Sequence, residues 1–145
     1  MEDWARNLAA DITEERRKKE KEREFFLEER KIKEARGRQL WEELKRSFQE
    51  NIKLLNGELG EEFLIWGVMR SNELEIRKRN DPHPLRGQYD QSLDRISFES
   101  TSFFKPTVYT LQIMRSEVLL VSEEGWTCSP GEIAQNMLGG FCRAR

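Results

Sequence analysis

The stretch LWEELKRSFQENIKLL, residues 40–55, decides the fold of this chain. At about 100° per residue its apolar positions fall within about a 120° arc, which is typical of a helix with one buried face. We expect this face to pack on the domain that follows it in the chain. The stripe consists of Leu40, Trp41, Leu44, Phe48, Ile52 and Leu55.

The same helix is predicted to extend towards the N-terminus. Residues 2–56 contain no proline and only one glycine, Gly37, and glutamates repeatedly precede lysine or arginine by four positions. That spacing supports a helix in water. A continuous helix of this length would measure about 80 Å, whereas a 145-residue globule has a radius of gyration of roughly 15 Å. Part of the helix must therefore project, break or pair with another chain, and Gly37 is a weak point for a bend.

Downstream of residue 56 the apolar period shifts towards two, which predicts strands. We expect about five, joined by short connections into an antiparallel meander, and we interpret NDPHPLRGQ, residues 80–88, as a loop because of its prolines and glycine. The expected strands are residues 62–69, 73–79, 94–103, 107–115 and 117–122.

The C-terminal segment CSPGEIAQNMLGGF, residues 128–141, predicts a short helix. Ser129 is placed as its N-cap, Pro130 as its first residue and Glu132 as the partner in a capping box. Gly139 and Gly140 are expected to end or loosen it. The predicted fold is therefore α+β: a long N-terminal helix, an antiparallel meander and a short C-terminal helix packed on one sheet face. The predicted domains are a charged helical arm, 1–38, and an α+β domain, 39–145.

Composition limits the classes of function. The net charge is −2, although 36% of the residues are charged, and this balance argues against a surface built wholly for nucleic acid or anionic membranes. The N-terminus begins MEDWARNLAADITEERR, without the apolar core of a secretory signal, and no run approaches the roughly 20 apolar residues of a membrane helix. Cys128 and Cys142 are interpreted as reduced thiols. We expect a cytoplasmic protein without membrane contact.

Catalytic and metal-binding patterns are weak. The one histidine, His83, lies between two prolines, and nothing in the sequence brings it to Cys128, whose place before a helix would favour a lowered thiol pKa. Two distant cysteines and one histidine do not make a zinc pattern. We therefore expect a non-enzymatic protein with no catalytic residues, metal or cofactor. A small-ligand-binding or enzymatic domain with no recognisable active site remains the third alternative, and an enzyme would need an open pocket that contains His83 or Cys128. An open aromatic patch would bind a partner or a small ligand, and its candidate members are Trp66, Phe103, Phe104, Tyr109 and Trp126.

Partner binding is the preferred interpretation. Trp4, Leu8 and Ile12 recur every four residues on one helical face, a pattern that suits an amphipathic helix laid in a groove. The face is charged in its middle, so a continuous coiled coil is not predicted. We expect the helix to bind itself, as a dimer, or another protein. The predicted partner-binding residues are Trp4, Leu8, Ile12, Phe25, Phe26 and Leu27.

The main alternative is a nucleic-acid-binding regulator that uses residues 16–38. This window holds eleven basic residues and six glutamates. A basic helix can bind phosphates, but interleaved glutamates are more typical of a solvated face. The candidate residues of this alternative are Arg16, Arg17, Lys18, Lys19, Lys21 and Arg23.

Overall fold

The computed structural model describes residues 2–101 and 105–143. It confirms the α+β class with a long N-terminal helix, an antiparallel sheet and a short C-terminal helix. Over the described residues the sheet has seven strands, two more than expected. The elements are α1 Glu2–Leu59, β1 Leu64–Gly67, β2 Glu73–Lys78, β3 Leu85–Asp90, β4 Arg95–Glu99, β5 Thr107–Met114, β6 Glu117–Ser122, β7 Thr127–Cys128 and α2 Pro130–Arg143.

The chain divides into two compact units, Met1–Ile32 and Lys33–Arg145, which we call the N-terminal unit and the α+β unit. The boundary lies inside α1, and both units therefore contain part of that helix. The division into domains 1–38 and 39–145 concerns independent folding, and it stays a prediction.

The stripe of residues 40–55 lies where the sequence places it. Trp41, Leu44 and Phe48 are completely buried. The indole N–H of Trp41 donates a hydrogen bond of 2.8 Å to the carbonyl oxygen of Ser71, and the rings of Phe48 and Phe98 lie 5.5 Å apart. This part of the helix thus belongs to the core of the α+β unit. Burying each of these large side chains stabilises the fold by about 1.5–3 kcal/mol.

Gly37 does not interrupt α1, which continues through it. It is buried, and a Cβ atom at this position would lie 2.5 Å from the hydroxyl oxygen of Tyr89 and 2.8 Å from Cδ1 of Leu111. Side-chain contacts this short are not tolerated in a packed interior. Close approach of the helix to the sheet, rather than a helix break, explains this glycine.

The sheet is a simple antiparallel meander in the order β1-β2-β3-β4-β5-β6-β7. Strand β6 has the expected bounds, and the third expected strand, residues 94–103, is observed as β4 and ends earlier, at Glu99; its residues 102 and 103 lie outside the described residues. Strands β3 and β7 were missed.

The interpretation of residues 80–88 as a loop was wrong from Leu85 onwards. In β3, Leu85, Gly87 and Tyr89 face the core and alternate with exposed Arg86 and Gln88. The alternation is not apparent in the sequence, because one core-facing position, Gly87, has no apolar side chain. Glycine is required there because a Cβ atom would lie 2.8 Å from Cε1 of Phe98.

Helix α2 begins as predicted. The backbone N–H of Glu132 donates to Oγ of Ser129 at 3.2 Å, which confirms the N-cap. Gly139 and Gly140 were expected to end or loosen the helix; it continues through them to Arg143, so they do not end it. Its apolar face completes the core, and Nζ of Lys78 donates to the carbonyl oxygen of Phe141 at 3.0 Å, a favourable place for a cation near a helix C-terminus. The buried face comprises Ile133, Ala134, Met137, Leu138 and Phe141.

Candidate functional site

The six predicted partner-binding residues all lie exposed on the N-terminal unit. Trp4 is 71% accessible, Phe25 64% and Phe26 63%, and no residue between 2 and 32 is buried. Large apolar side chains in water are ordinary when they are scattered singly. Here they form two groups on the same helix, residues 4–12 and 25–27, which together mark a candidate interaction surface. We call Trp4, Leu8, Ile12, Phe25, Phe26 and Leu27 the N-terminal apolar set.

The exposed apolar residues are concentrated in this unit. Of fifteen large apolar side chains that the structure describes as exposed, seven lie between residues 2 and 32: the N-terminal apolar set and Ile32. The remaining eight are distributed over the 108 described residues of the α+β unit, 69 in 33–101 and 39 in 105–143. The N-terminal unit therefore has the highest density of unburied apolar surface in the described chain.

Local interactions support the helix in this unit without burying its apolar side chains. Nζ of Lys19 lies 3.6 Å from a carboxylate oxygen of Glu15. Both side chains are well exposed, and such pairs stabilise a helix by only about 0.3–0.5 kcal/mol. The hydroxyl of Thr13 donates to the carbonyl oxygen of Ala9 at 2.8 Å. Charge pairing makes the helix compatible with water, but it leaves the apolar side chains without cover from the described residues of their own unit.

The basic residues of the nucleic-acid alternative are all exposed. At about 100° per residue their directions are spread around the whole helix instead of forming one face. Lys18 and Lys19 point about 100° apart, and Lys21 lies on nearly the opposite side from Lys19. A helix in a groove presents one face to the phosphates, so this arrangement does not favour a phosphate-binding stripe. The residues are Arg16, Arg17, Lys18, Lys19, Lys21 and Arg23.

The aromatic patch suggested for a small ligand does not assemble in the described residues. Tyr109 is buried and Trp66 is half-buried against the core, whereas Trp126 is 73% accessible. Phe103 and Phe104 lie outside the described residues. Two of the three described members therefore serve core packing.

The outer face of the sheet contains a charged cluster that the sequence analysis missed. Glu75 lies between Leu74 and Ile76 in β2, and only 8% of it is accessible. Its carboxylate accepts a hydrogen bond from Nε of Arg77 and lies 3.5 Å from Nε of Arg86. Arg86 stands directly across from Glu75 in the β2–β3 register, and this neighbour was invisible without β3.

A shallow cavity of about 220 Å³ lies beside this cluster. Its polar lining carries both signs of charge, and the carboxylate of Glu75 is occupied by the two arginines. The cluster therefore reads as a cross-strand ion pair that joins β2 to β3. The cavity is lined by Met69, Glu73, Leu74, Arg86, Gly87, Gln88, Ser97 and Glu99.

The residues considered for catalysis are not arranged as a site. His83 is exposed in a loop, where its backbone N–H donates to a carboxylate oxygen of Asp81 at 2.9 Å. Burial raises the pKa of the Cys128 thiol, and the nearby carboxylates of Glu132 and Glu124 raise it further. Desolvation and negative charge both disfavour a thiolate, so Cys128 lacks the lowered pKa that a catalytic role would use.

The described part of the chain contains neither a metal-ligand cluster nor a membrane-spanning helix. Cys128 and Cys142 are both free thiols. Among residues 2–101 and 105–143, His, Cys, Asp and Glu form no group of three or more with the geometry of a metal site. Over the same residues neither helix has an apolar stretch long enough to cross a bilayer. Comparisons with family models, with curated proteins and with solved structures found no match for this chain.

Proposed function

We propose that this chain is a non-enzymatic protein-interaction module that self-associates through its N-terminal unit. The observation that carries the proposal is the concentration of exposed apolar side chains in residues 2–32, where no residue is buried. The N-terminal apolar set supplies the contact surface. The intervening charges keep the free helix in water and restrict how two helices align.

The energetics of apolar burial favour association of such a helix. Covering a large apolar side chain contributes about 1.5–3 kcal/mol. In a symmetric homodimer this contribution counts twice, because each chain buries its own copy of the residue. Isolated helices are marginal in water, and most helical stability in proteins comes from packing of an apolar face. Association would therefore both remove the exposed surface and stabilise the N-terminal part of α1. The two free thiols are compatible with the reducing cytoplasm, where we place the protein.

Sedimentation equilibrium of the full chain tests the proposal. We expect a reversible dimer, and replacing Phe26 by serine removes two buried phenylalanines per dimer. Losing about 3 kcal/mol of binding free energy raises the dissociation constant on the order of 100-fold. The matched control is Leu54→Ser, because Leu54 lies on the same helix and is 68% accessible but belongs to the α+β unit. The control should leave the dissociation constant unchanged.

A monomer at all concentrations would contradict self-association. Equal weakening by Phe26→Ser and Leu54→Ser would show that the N-terminal apolar set is not the contact. A gel-shift assay at low salt addresses the alternative with nucleic acid, since binding through basic side chains is strongest there. Loss of a shift on neutralising Arg16, Arg17 and Lys18 would support the alternative over the present proposal.

A further inference from the structure

We propose that Leu8, Ile12 and Phe26 of the N-terminal apolar set are covered by a second copy of this chain, whose helix runs antiparallel to the first. The inference rests on the proposed self-association and adds its orientation and register. Two features carry it: the order of apolar and charged residues along one helical face, and the distribution of charge between the two ends of the N-terminal unit.

The seam of such a pair can be read from the helix. Leu8, Ile12, Glu15, Lys19, Glu22 and Phe26 are separated alternately by four and three residues. This alternation places them on one stripe, as the a and d positions of a coiled coil. The stripe is apolar at both ends and charged in the middle. All six residues are exposed on their own unit, so the whole stripe is available to a partner.

A parallel pair in register would place each seam residue opposite itself. Glu15 would face Glu15, Lys19 would face Lys19, and Glu22 would face Glu22, which gives three successive layers of like charge. Like charges held together with little water are strongly unfavourable. The apolar layers would match in this arrangement, but three repulsive layers would separate them.

The antiparallel pair replaces these layers. With Leu8 opposite Phe26, a and d positions alternate correctly across the seam. Glu15 then lies opposite Lys19, once on each side of the twofold axis, and Leu8 packs on Phe26 at both ends. The unequal layers, one on each side of the axis, set Ile12 against Glu22, whose methylene groups can cover the isoleucine while its carboxylate reaches water.

The register fits the limits of the N-terminal unit. It is centred on Arg17, which is also the midpoint of residues 2–32. Arg17 points away from the seam at about 100° per residue, so the axis is not blocked. Trp4 comes near the far end of the partner unit, beside Arg30. The paired segment therefore ends where the unit ends.

Charge along the unit favours the same orientation. Residues 2–15 hold five acidic residues and one basic residue, a net charge of −4, whereas residues 19–32 hold five of each and are neutral. In a parallel pair the two −4 segments would lie against each other. In the antiparallel pair each −4 segment lies against a neutral one, which lowers the long-range repulsion between the copies.

Disulfide cross-linking of the full chain measures the orientation. In a background where Cys128 and Cys142 are serine, we would prepare Leu8→Cys and Phe26→Cys chains and oxidise them alone and mixed, with oxidised glutathione. In the antiparallel pair two copies of position 8 are about 27 Å apart along the axis. Neither variant alone should therefore form a cross-linked dimer. The mixture should give a dimer linked between positions 8 and 26, as identified by mass spectrometry of the linked peptides.

The outcomes separate the orientation from the self-association itself. A monomer by sedimentation would overturn both. A dimer in which Leu8→Cys cross-links efficiently with itself would preserve the proposed function and overturn the antiparallel orientation. The control variant Ala10→Cys, on the side of the helix opposite the seam, should not cross-link in any mixture. Its efficient cross-linking would mean that a different face forms the contact and would overturn the register.

Discussion

Replacing Gly37 by alanine tests how closely α1 approaches the sheet in the α+β unit. The new methyl group would lie 2.5 Å from Oη of Tyr89 and 2.8 Å from Cδ1 of Leu111. The ring of Tyr89 cannot easily move away, because neighbouring side chains pack against it. The centre of the Trp41 ring lies 6.0 Å from the centre of the Tyr89 ring, and the guanidinium carbon of Arg38 lies 5.5 Å from it. Overpacking of this kind costs about 1–3 kcal/mol.

A matched substitution separates overpacking from helix propensity. Gly57 also lies in α1, but a Cβ there would meet nothing within 4 Å. Alanine is favoured over glycine in a helix by about 0.5–1 kcal/mol, so Gly57→Ala should stabilise the protein by up to that amount. The same gain applies at Gly37 and offsets part of the clash. The difference between the two variants therefore isolates the cost of overpacking, which we expect to be about 1–3 kcal/mol.

Thermal and urea unfolding, followed by circular dichroism at one protein concentration, would measure this difference. For a chain of this size 1 kcal/mol shifts the melting temperature by about 2–4 °C, so Gly37→Ala should melt roughly 2–12 °C below Gly57→Ala. Adding Tyr89→Phe to Gly37→Ala should recover part of the loss, since it removes the nearest atom. If Gly37→Ala is as stable as Gly57→Ala, the close packing of α1 on β3 and β5 is refuted.

Three further predictions concern the α+β unit. Asn56→Ala removes the side chain that bonds both the N–H and the carbonyl oxygen at the start of β1, at 2.9 and 3.0 Å; it should lower the free energy of unfolding by about 1–3 kcal/mol, whereas Asn56→Asp, which keeps the acceptor, should lose less. Glu75→Ala should lower the free energy of unfolding, measured in urea, by about 1–2 kcal/mol. The loss stays this small because the two arginine partners are half-exposed and regain water. An unchanged unfolding midpoint would contradict a structural role for this ion pair. Burial raises the pKa of Cys142, while Lys78 and Arg143 oppose the shift. In a Cys128→Ser chain its alkylation by iodoacetamide should therefore reach half-maximal rate above pH about 8.5, the ordinary thiol value, because only the thiolate reacts; a midpoint below that pH would contradict the burial.

The sequence predicted those parts of the fold in which a long apolar period decides the structure. Trp41, Leu44 and Phe48 are large, recur on one helical face and are completely buried, as expected. The N-cap at Ser129 was also predictable, because a capping side chain and the backbone N–H that donates to it are close in sequence. Both signals are local, and neither needs knowledge of a distant strand.

Strand β3 was missed because the residue at one of its core-facing positions is determined by contact with another strand and not by the local sequence. Position 87 must be glycine to make room for Phe98, which is eleven residues away, and a glycine beside prolines is typical of a loop. Losing β3 also hid the environment of Glu75, since Arg86 is its partner across the sheet. Without β3, the arginine that pairs with buried Glu75 from the next strand could not be identified from the sequence.

The two halves of α1 show why the same apolar pattern predicts a core in one place and an interaction surface in another. Phe48 and Phe26 are both phenylalanines in this helix, but Phe48 packs on Phe98 within its own unit whereas Phe26 remains 63% accessible. A sequence pattern specifies that a face is apolar, and it does not specify which chain supplies the cover. For Phe48 the cover is intramolecular. For Phe26 we infer that it comes from Leu8 of a second copy, because the charges between these two positions repel in a parallel pair and attract in an antiparallel one.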